Sequence, residues 1–173
     1  MDDMRLRELA GRLAGVSGVV GVVLGGSRAR GTHRPDSDID LGLYYRGSLD
    51  VEALRALAFE VSGERVEVTA PGGWGPWVDG GGWLTVEGWR VDWIYRDLDR
   101  VHAVWADCRR GHYEVGVQAG HPLGFYSHAY AGEIAMCKSV TGWRVTTPRT
   151  RRGVCSERWE SPAMRCTAGR GGG

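Results

Sequence analysis

The 173-residue sequence contains no apolar run able to cross a bilayer. Its longest run near the start, Val19 to Leu24, falls far short of the roughly 20 residues that a spanning helix needs. The opening stretch, MDDMRLREL, is charged and lacks the apolar centre of a secretory signal. Four cysteines, at 108, 137, 155 and 166, form no CxxC pair and show no zinc-finger spacing. Free thiols in a reducing cytoplasm are the expected state, so the chain reads as cytoplasmic with no membrane partner. The formal net charge is only +1, which removes any global electrostatic argument for nucleic acid or a lipid surface. No internal repeat is visible. What remains is an ordinary globular composition, 42% hydrophobic and 25% charged, long enough for one domain with a real core.

One stretch carries chemistry: Gly25 to Tyr45, GGSRARGTHRPDSDIDLGLYY. It follows the aliphatic run Val19–Leu24, which has the length of a buried central strand. Gly25 and Gly26 allow a sharp turn. Ser27 is a good helix N-cap, and a helix starting there would point free N–H groups outward, where phosphate binds. Arg28 and Arg30 add positive charge. Arg34 to Ser37 form a turn, and Asp38 to Tyr45 read as the next strand. In a strand, side chains at i and i+2 share a face, so Asp38 and Asp40 point one way and Ile39, Leu41 and Leu43 the other. Two neighbouring carboxylates repel, and a hard divalent cation relieves the repulsion. An Asp-Ser-Asp cluster alone is a solvated turn, and Gly-Gly-Ser alone a tight connection; the two in this order are more specific than either.

Three competing motifs fail on single residues. Gly26 to Gly31 has P-loop spacing, but Thr32 stands where lysine is needed. Asp36, Asp38 and Asp40 imitate an EF-hand loop, but Leu41 and Gly47 occupy its glycine and closing glutamate positions. Gly25 and Ser27 suggest a nucleophile elbow, but Ala29 replaces the second glycine.

The pattern Leu24-Gly25-Gly26-Ser27, ten residues, then Asp38-Ile39-Asp40-Leu41 resembles the signature of the nucleotidyltransferase superfamily, typified by DNA polymerase beta and the aminoglycoside nucleotidyltransferases. The resemblance spans about residues 15–100. It implies an α/β (α+β) fold: a twisted mixed sheet with helices packed on one face and the catalytic carboxylates on the other. It also implies transfer of a nucleoside monophosphate from an NTP to an acceptor hydroxyl, with release of pyrophosphate. Asp38 and Asp40 would hold Mg2+ or Mn2+, and Gly25, Gly26, Ser27 and Arg28 would hold the triphosphate. The family requires a third carboxylate on a later strand, and Asp92 sits in that setting. It lies in Trp89–Tyr95, where Trp89, Val91, Trp93 and Tyr95 share one face and Arg90, Asp92, Ile94 and Arg96 the other. A carboxylate there is costly unless paired or bound to metal, so an ion pair with Arg90 or Arg96 is the competing reading. The acceptor hydroxyl belongs to a small molecule or a protein that the motif does not identify. Minimal members of the superfamily also act as antitoxins with a helical toxin partner, so such a partner, a homodimer, or an inactive nucleotide-binding remnant stay as alternatives.

Elsewhere the periodicity predicts helices over 4–14, 49–62, 97–110 (capped by Asp97) and 125–137, and strands over 65–69, 83–86 and 112–117. Residues 71–82 and 121–124 read as loops. In the first of these, Trp74 and Trp77 either stack on a base or cover the core edge. His121, His128 and Glu133 show no metal-ligand spacing and read as structural or peripheral. The domain is expected to end near residue 138. Residues 139–173 hold seven arginines, two glutamates and no leucine or isoleucine. Such a segment reads either as a basic tail of low order, able to bind nucleic acid weakly, or as the product of a shifted reading frame after about Lys138.

Overall fold

The computed structural model describes residues 1–141, so the readings of the basic segment beyond residue 141 lie outside the described residues. The described chain runs α1 (Asp3–Ala14), β1 (Val19–Leu24), α2 (Gly26–Arg30), β2 (Ile39–Tyr45), α3 (Val51–Ser62), β3 (Gly81–Val86), β4 (Trp89–Asp97), α4 (Leu98–Arg109), β5 (Val115–Gln118), β6 (His121–Tyr126), α5 (Ser127–Met136) and β7 (Lys138–Ser139). Three helices start on aspartate caps. Asp2 accepts from the Arg5 amide, Asp50 from that of Ala53, and Asp97 from those of Asp99 and Arg100.

Five strands form one mixed sheet in the order β3-β4-β2-β1-β7, and β5 and β6 form a separate two-stranded sheet. The pairing of β2 with β4 is parallel, and the other pairs are antiparallel. A parallel pair needs a crossover, which α3 and the hairpin strand β3 provide. The β3–β4 turn is Glu87-Gly88, with φ of 51° and 80°. Two left-handed residues match the twist of a tight hairpin.

The alternation predicted for β2 and β4 holds in three dimensions. Ile39, Leu41, Leu43, Val91, Trp93 and Tyr95 are buried against Leu9 and Leu13 of α1 and Leu54, Leu57 and Ala58 of α3. This is the main core and the face that the helices cover. A second cluster lies on the opposite face, beyond the aspartates. There Val23 and Tyr44 meet Leu98, Val101 and Val104 of α4 and Tyr130 and Ala131 of α5. Helices α4 and α5 thus close one end of the carboxylate-bearing face, an addition to the one-sided packing expected from sequence.

Several local expectations change. Residues 65–69 form no strand: only Val68 reaches β3, through a single bridge to Gly82. The chain turns away at Pro71 before a ladder can form. Residues 121–124 are strand rather than loop, because β6 pairs back on β5. Phe125 and Tyr126 belong to that strand, which delays α5 to Ser127. Trp77 is core. It stacks on Phe125 at 5.7 Å and lies under the Arg100 guanidinium at 4.3 Å. Buried Gln118 fixes its loop, accepting from the Trp77 and Val78 amides and donating to the Trp74 carbonyl. Trp74 instead stacks on Trp83 at 4.3 Å. Past residue 138 the chain stays in the sheet, since Lys138 and Ser139 pair with Leu24 and Val23.

Leu54 is fully enclosed, so Leu54→Ala is expected to destabilise by about 2–5 kcal/mol. Phe59, on the same helix but 57% exposed, should lose no more than about 0.5 kcal/mol as Phe59→Ala. Urea denaturation of the two variants checks the contrast.

Candidate active site

The sheet register makes the site. In the parallel pair, Asp40 of β2 lies directly beside Asp92 of β4. Strands in a sheet are about 4.8 Å apart, so two half-buried carboxylates leave the same face side by side. Asp38, two residues earlier, shares that face. The Gly25 amide donates to the Asp40 carbonyl at 2.8 Å and ties the glycine turn to the aspartate strand. Gly26 has φ of 58°, and a Cβ there would lie 1.8 Å from Asp40 Oδ2. Only glycine lets the turn close over this carboxylate.

The electrostatics follow from the crowding. The Asp92 carboxyl is pushed up to about 6, first by burial and then by Asp40 and Asp38, with Arg90 opposing. Asp40 is also raised, first by burial and then by Asp38, with Arg30 opposing. The competing reading of Asp92 as half of an ion pair does not hold among the described residues. Arg90 Nε pairs with Asp38 at 2.5 Å, and buried Arg96 gives Nε and Nη2 to Glu133 Oε2 at 2.9 and 2.6 Å. Both arginines are thus committed elsewhere.

Beside Asp38 and Asp40 lies an open groove of about 370 Å³, lined also by Ser27, Arg34, Asp36, Ser37 and Arg90 but not by Asp92. Its rim is held by Arg28. That guanidinium donates to the carbonyls of Ser37 and Asp38 at 2.7–3.2 Å and rests over the Trp89 ring at 5.1 Å. The expected N-cap changes: Gly25 caps α2, with no side-chain hydrogen bond, and Ser27 falls inside the first turn. The helix is only five residues long.

The donor chemistry suits a hard divalent cation: carboxylate oxygens only, with repulsion that a cation would relieve. Among the described residues, however, no three His, Cys, Asp or Glu side chains close around one point. Asp38 is drawn to Arg90 instead of joining Asp40 and Asp92. His121 packs on Phe125, and His128 on Tyr113 and Tyr126, so neither joins the site. Two features escaped sequence reasoning: the Arg90–Asp38 pairing and the Arg96–Glu133 pair across 37 residues. No local spacing signals either. Among the described residues no helix is long and apolar enough to cross a membrane.

Comparison with known proteins gives one family. Residues 4–69 match the family model described as a nucleotidyltransferase domain. The match contains the glycine turn, Asp38 and Asp40, and ends before Asp92. No curated protein matches the chain. The matched motif residues, with the mixed sheet in place around them, make residues 4–69 similar to a nucleotidyltransferase domain and support a place for them in the nucleotidyltransferase superfamily.

Proposed function

We propose that the protein transfers a nucleoside monophosphate from an NTP to an acceptor hydroxyl, with Mg2+ or Mn2+. The observation that carries this reading is the Asp40–Asp92 register pair, two neighbouring carboxylates with raised proton affinity under a turn that only Gly26 can make. Asp40 and Asp92, joined by Asp38 once it leaves Arg90, would hold the cation. The bound cation would neutralise the triphosphate and steady the attacking and leaving oxygens of an in-line displacement.

The chain's own residues do the rest. Ser27 lines the groove and, with Gly25 and Gly26 of the turn over Asp40, would carry the phosphates. Arg28 acts on them through the rim, since its guanidinium holds the Ser37 and Asp38 carbonyls. In the transfer, the acceptor oxygen bonds to the α-phosphorus as the α–β bridging bond breaks and pyrophosphate leaves. The hydroxyl proton would go to Asp92, the carboxylate that lies beside Asp40. Positioning and charge stabilisation dominate such phosphoryl chemistry.

Magnesium-dependent thermal stabilisation by each of the four NTPs tests the reading, with Asp38→Ala/Asp40→Ala as control. A nucleotide at 100 times its dissociation constant should add about 2.7 kcal/mol of stability, lost in the double variant. A folded protein that no NTP stabilises would overturn it.

The raised carboxyls also predict a pH dependence. A carboxylate whose folded pKa lies above its unfolded value favours the folded state at low pH, and that contribution fades as pH rises through the folded value. Asp92→Asn should therefore raise the melting temperature of the metal-free protein at pH 7.5, while leaving it little changed at pH 4. In the natural protein, Mn2+ affinity should weaken as pH falls below about 6, where protons compete for Asp92. Calorimetry at the two pH values and Mn2+ titration check both.

A further inference from the structure

The register row that pairs Asp40 with Asp92 runs one strand further. On the outer side of β4, Asp92 is matched across the antiparallel ladder by Trp83 of β3. Residues directly opposite in such a ladder leave the same face, about 5 Å apart. Three side chains therefore follow one another across the open face: Asp40, Asp92, Trp83. The glycine turn lies at the other end of the row, bonded to Asp40. Trp83 is 63% exposed even though Trp74 stacks on it with the ring planes 17° apart. One face of the indole is thus covered and the other is left to solvent. Trp74 is itself held. Its carbonyl accepts from Gln118, and its ring lies over Gly81, where a Cβ would come within 3.0 Å of its Cη2. The pair presents a fixed, flat π surface beside a carboxylate.

Resting on the nucleotidyl-transfer reading, we infer that the Trp74–Trp83 pair is the platform for the acceptor, and that the acceptor is a small aromatic alcohol of the phenol class. In-line displacement brings the attacking oxygen to the side of the phosphorus away from the leaving group. With the pyrophosphate at the glycine turn, that side is the β3 end of the row. The acceptor ring lies on the free face of Trp83, and its hydroxyl reaches Asp92. The aryl oxygen bonds to the α-phosphorus, the O–H proton passes to Asp92 and pyrophosphate leaves. A flat ring needs one polar partner, for its one hydroxyl. A sugar ring needs several side chains to match its hydroxyls, and beside Trp83 the exposed face of β3 offers Thr85 alone. Neighbouring Arg90 is already paired with Asp38.

The test uses the full chain with 15N-labelled tryptophan and two probes, 4-ethylphenol and methyl glucoside. The Trp83 indole signal is the one that Trp83→Phe removes. 4-Ethylphenol should shift it saturably, and methyl glucoside should bind about tenfold more weakly. Trp83→Thr, which keeps the strand propensity of an exposed position, should weaken 4-ethylphenol about tenfold by equilibrium dialysis. Trp83→Phe keeps a ring and should stay within about threefold of the natural protein. The magnesium complex of the α,β-methylene analogue of the best-stabilising NTP should bind together with 4-ethylphenol and leave the Trp83 signal in place. Methyl glucoside binding as well as 4-ethylphenol, an unmoved Trp83 signal, or 4-ethylphenol binding undiminished in Trp83→Thr would each overturn the inference. So would displacement of 4-ethylphenol by the nucleotide analogue, which would give the platform to the donor's base. The two readings fail separately. NTP stabilisation with any of these results sinks only the acceptor platform; 4-ethylphenol binding without NTP stabilisation sinks nucleotidyl transfer and the acceptor role with it.

Discussion

Two carboxylates placed side by side on parallel strands, both pushed toward their protonated forms first by burial and then by a neighbouring aspartate, set the terms for everything around them. Asp40 and Asp92 are register partners, so neither can move away without breaking the β2–β4 ladder. Their flanking residues, Ile39, Leu41, Val91 and Trp93, are buried on the opposite face under α1 and α3. The apolar core thus holds the repulsion in place. Burial of each large side chain contributes about 1.5–3 kcal/mol, ample to offset strained electrostatics at one point of the sheet. The protein carries a local cost at the position where a ligand of opposite charge would remove it, an arrangement typical of functional sites.

The surroundings divide the labour. The glycine turn comes close to Asp40 because it has no side chain to interfere. Arg28 is spent on carbonyls, which fixes the segment that delivers Asp38. Arg90 stands as a protein-borne counter-ion for Asp38. On the other flank, α4 and α5 close the sheet beyond Tyr44 and turn an open face into a walled cleft.

Much of this was legible in the residues. The strand β1, the aspartate caps and the alternation of β4 follow from period and chemistry that act locally. So does the pairing of Asp38 with Asp40 on one face. The alignment of Asp92 with Asp40 was only half legible: the strand and the face could be read, but the register depends on a parallel crossover with no local signature. The errors have the same origin. Residues 65–69 carry a strand pattern but find no neighbour to ladder with, and 121–124 carry loop residues yet pair with β5. Ser27 is a better cap than Gly25 by preference, yet the turn at Gly26 places the cap two residues earlier. Glu133 could not be matched to Arg96, because nothing within either helix or strand announces a partner 37 residues away.

Gln118 has a consequence of a different kind. One buried amide holds the Trp77 and Val78 amides and the Trp74 carbonyl, beside the tie that Arg100 makes to the Pro76 carbonyl. Gln118 itself ends β5, in a two-stranded sheet that contributes no strand to the main one. Opening that small hairpin removes the Gln118 bonds from the loop and the Phe125 ring from Trp77 together. The loop and the hairpin therefore form one cooperative unit, and amide hydrogens on both should exchange with solvent at a common rate, separate from that of the central strands.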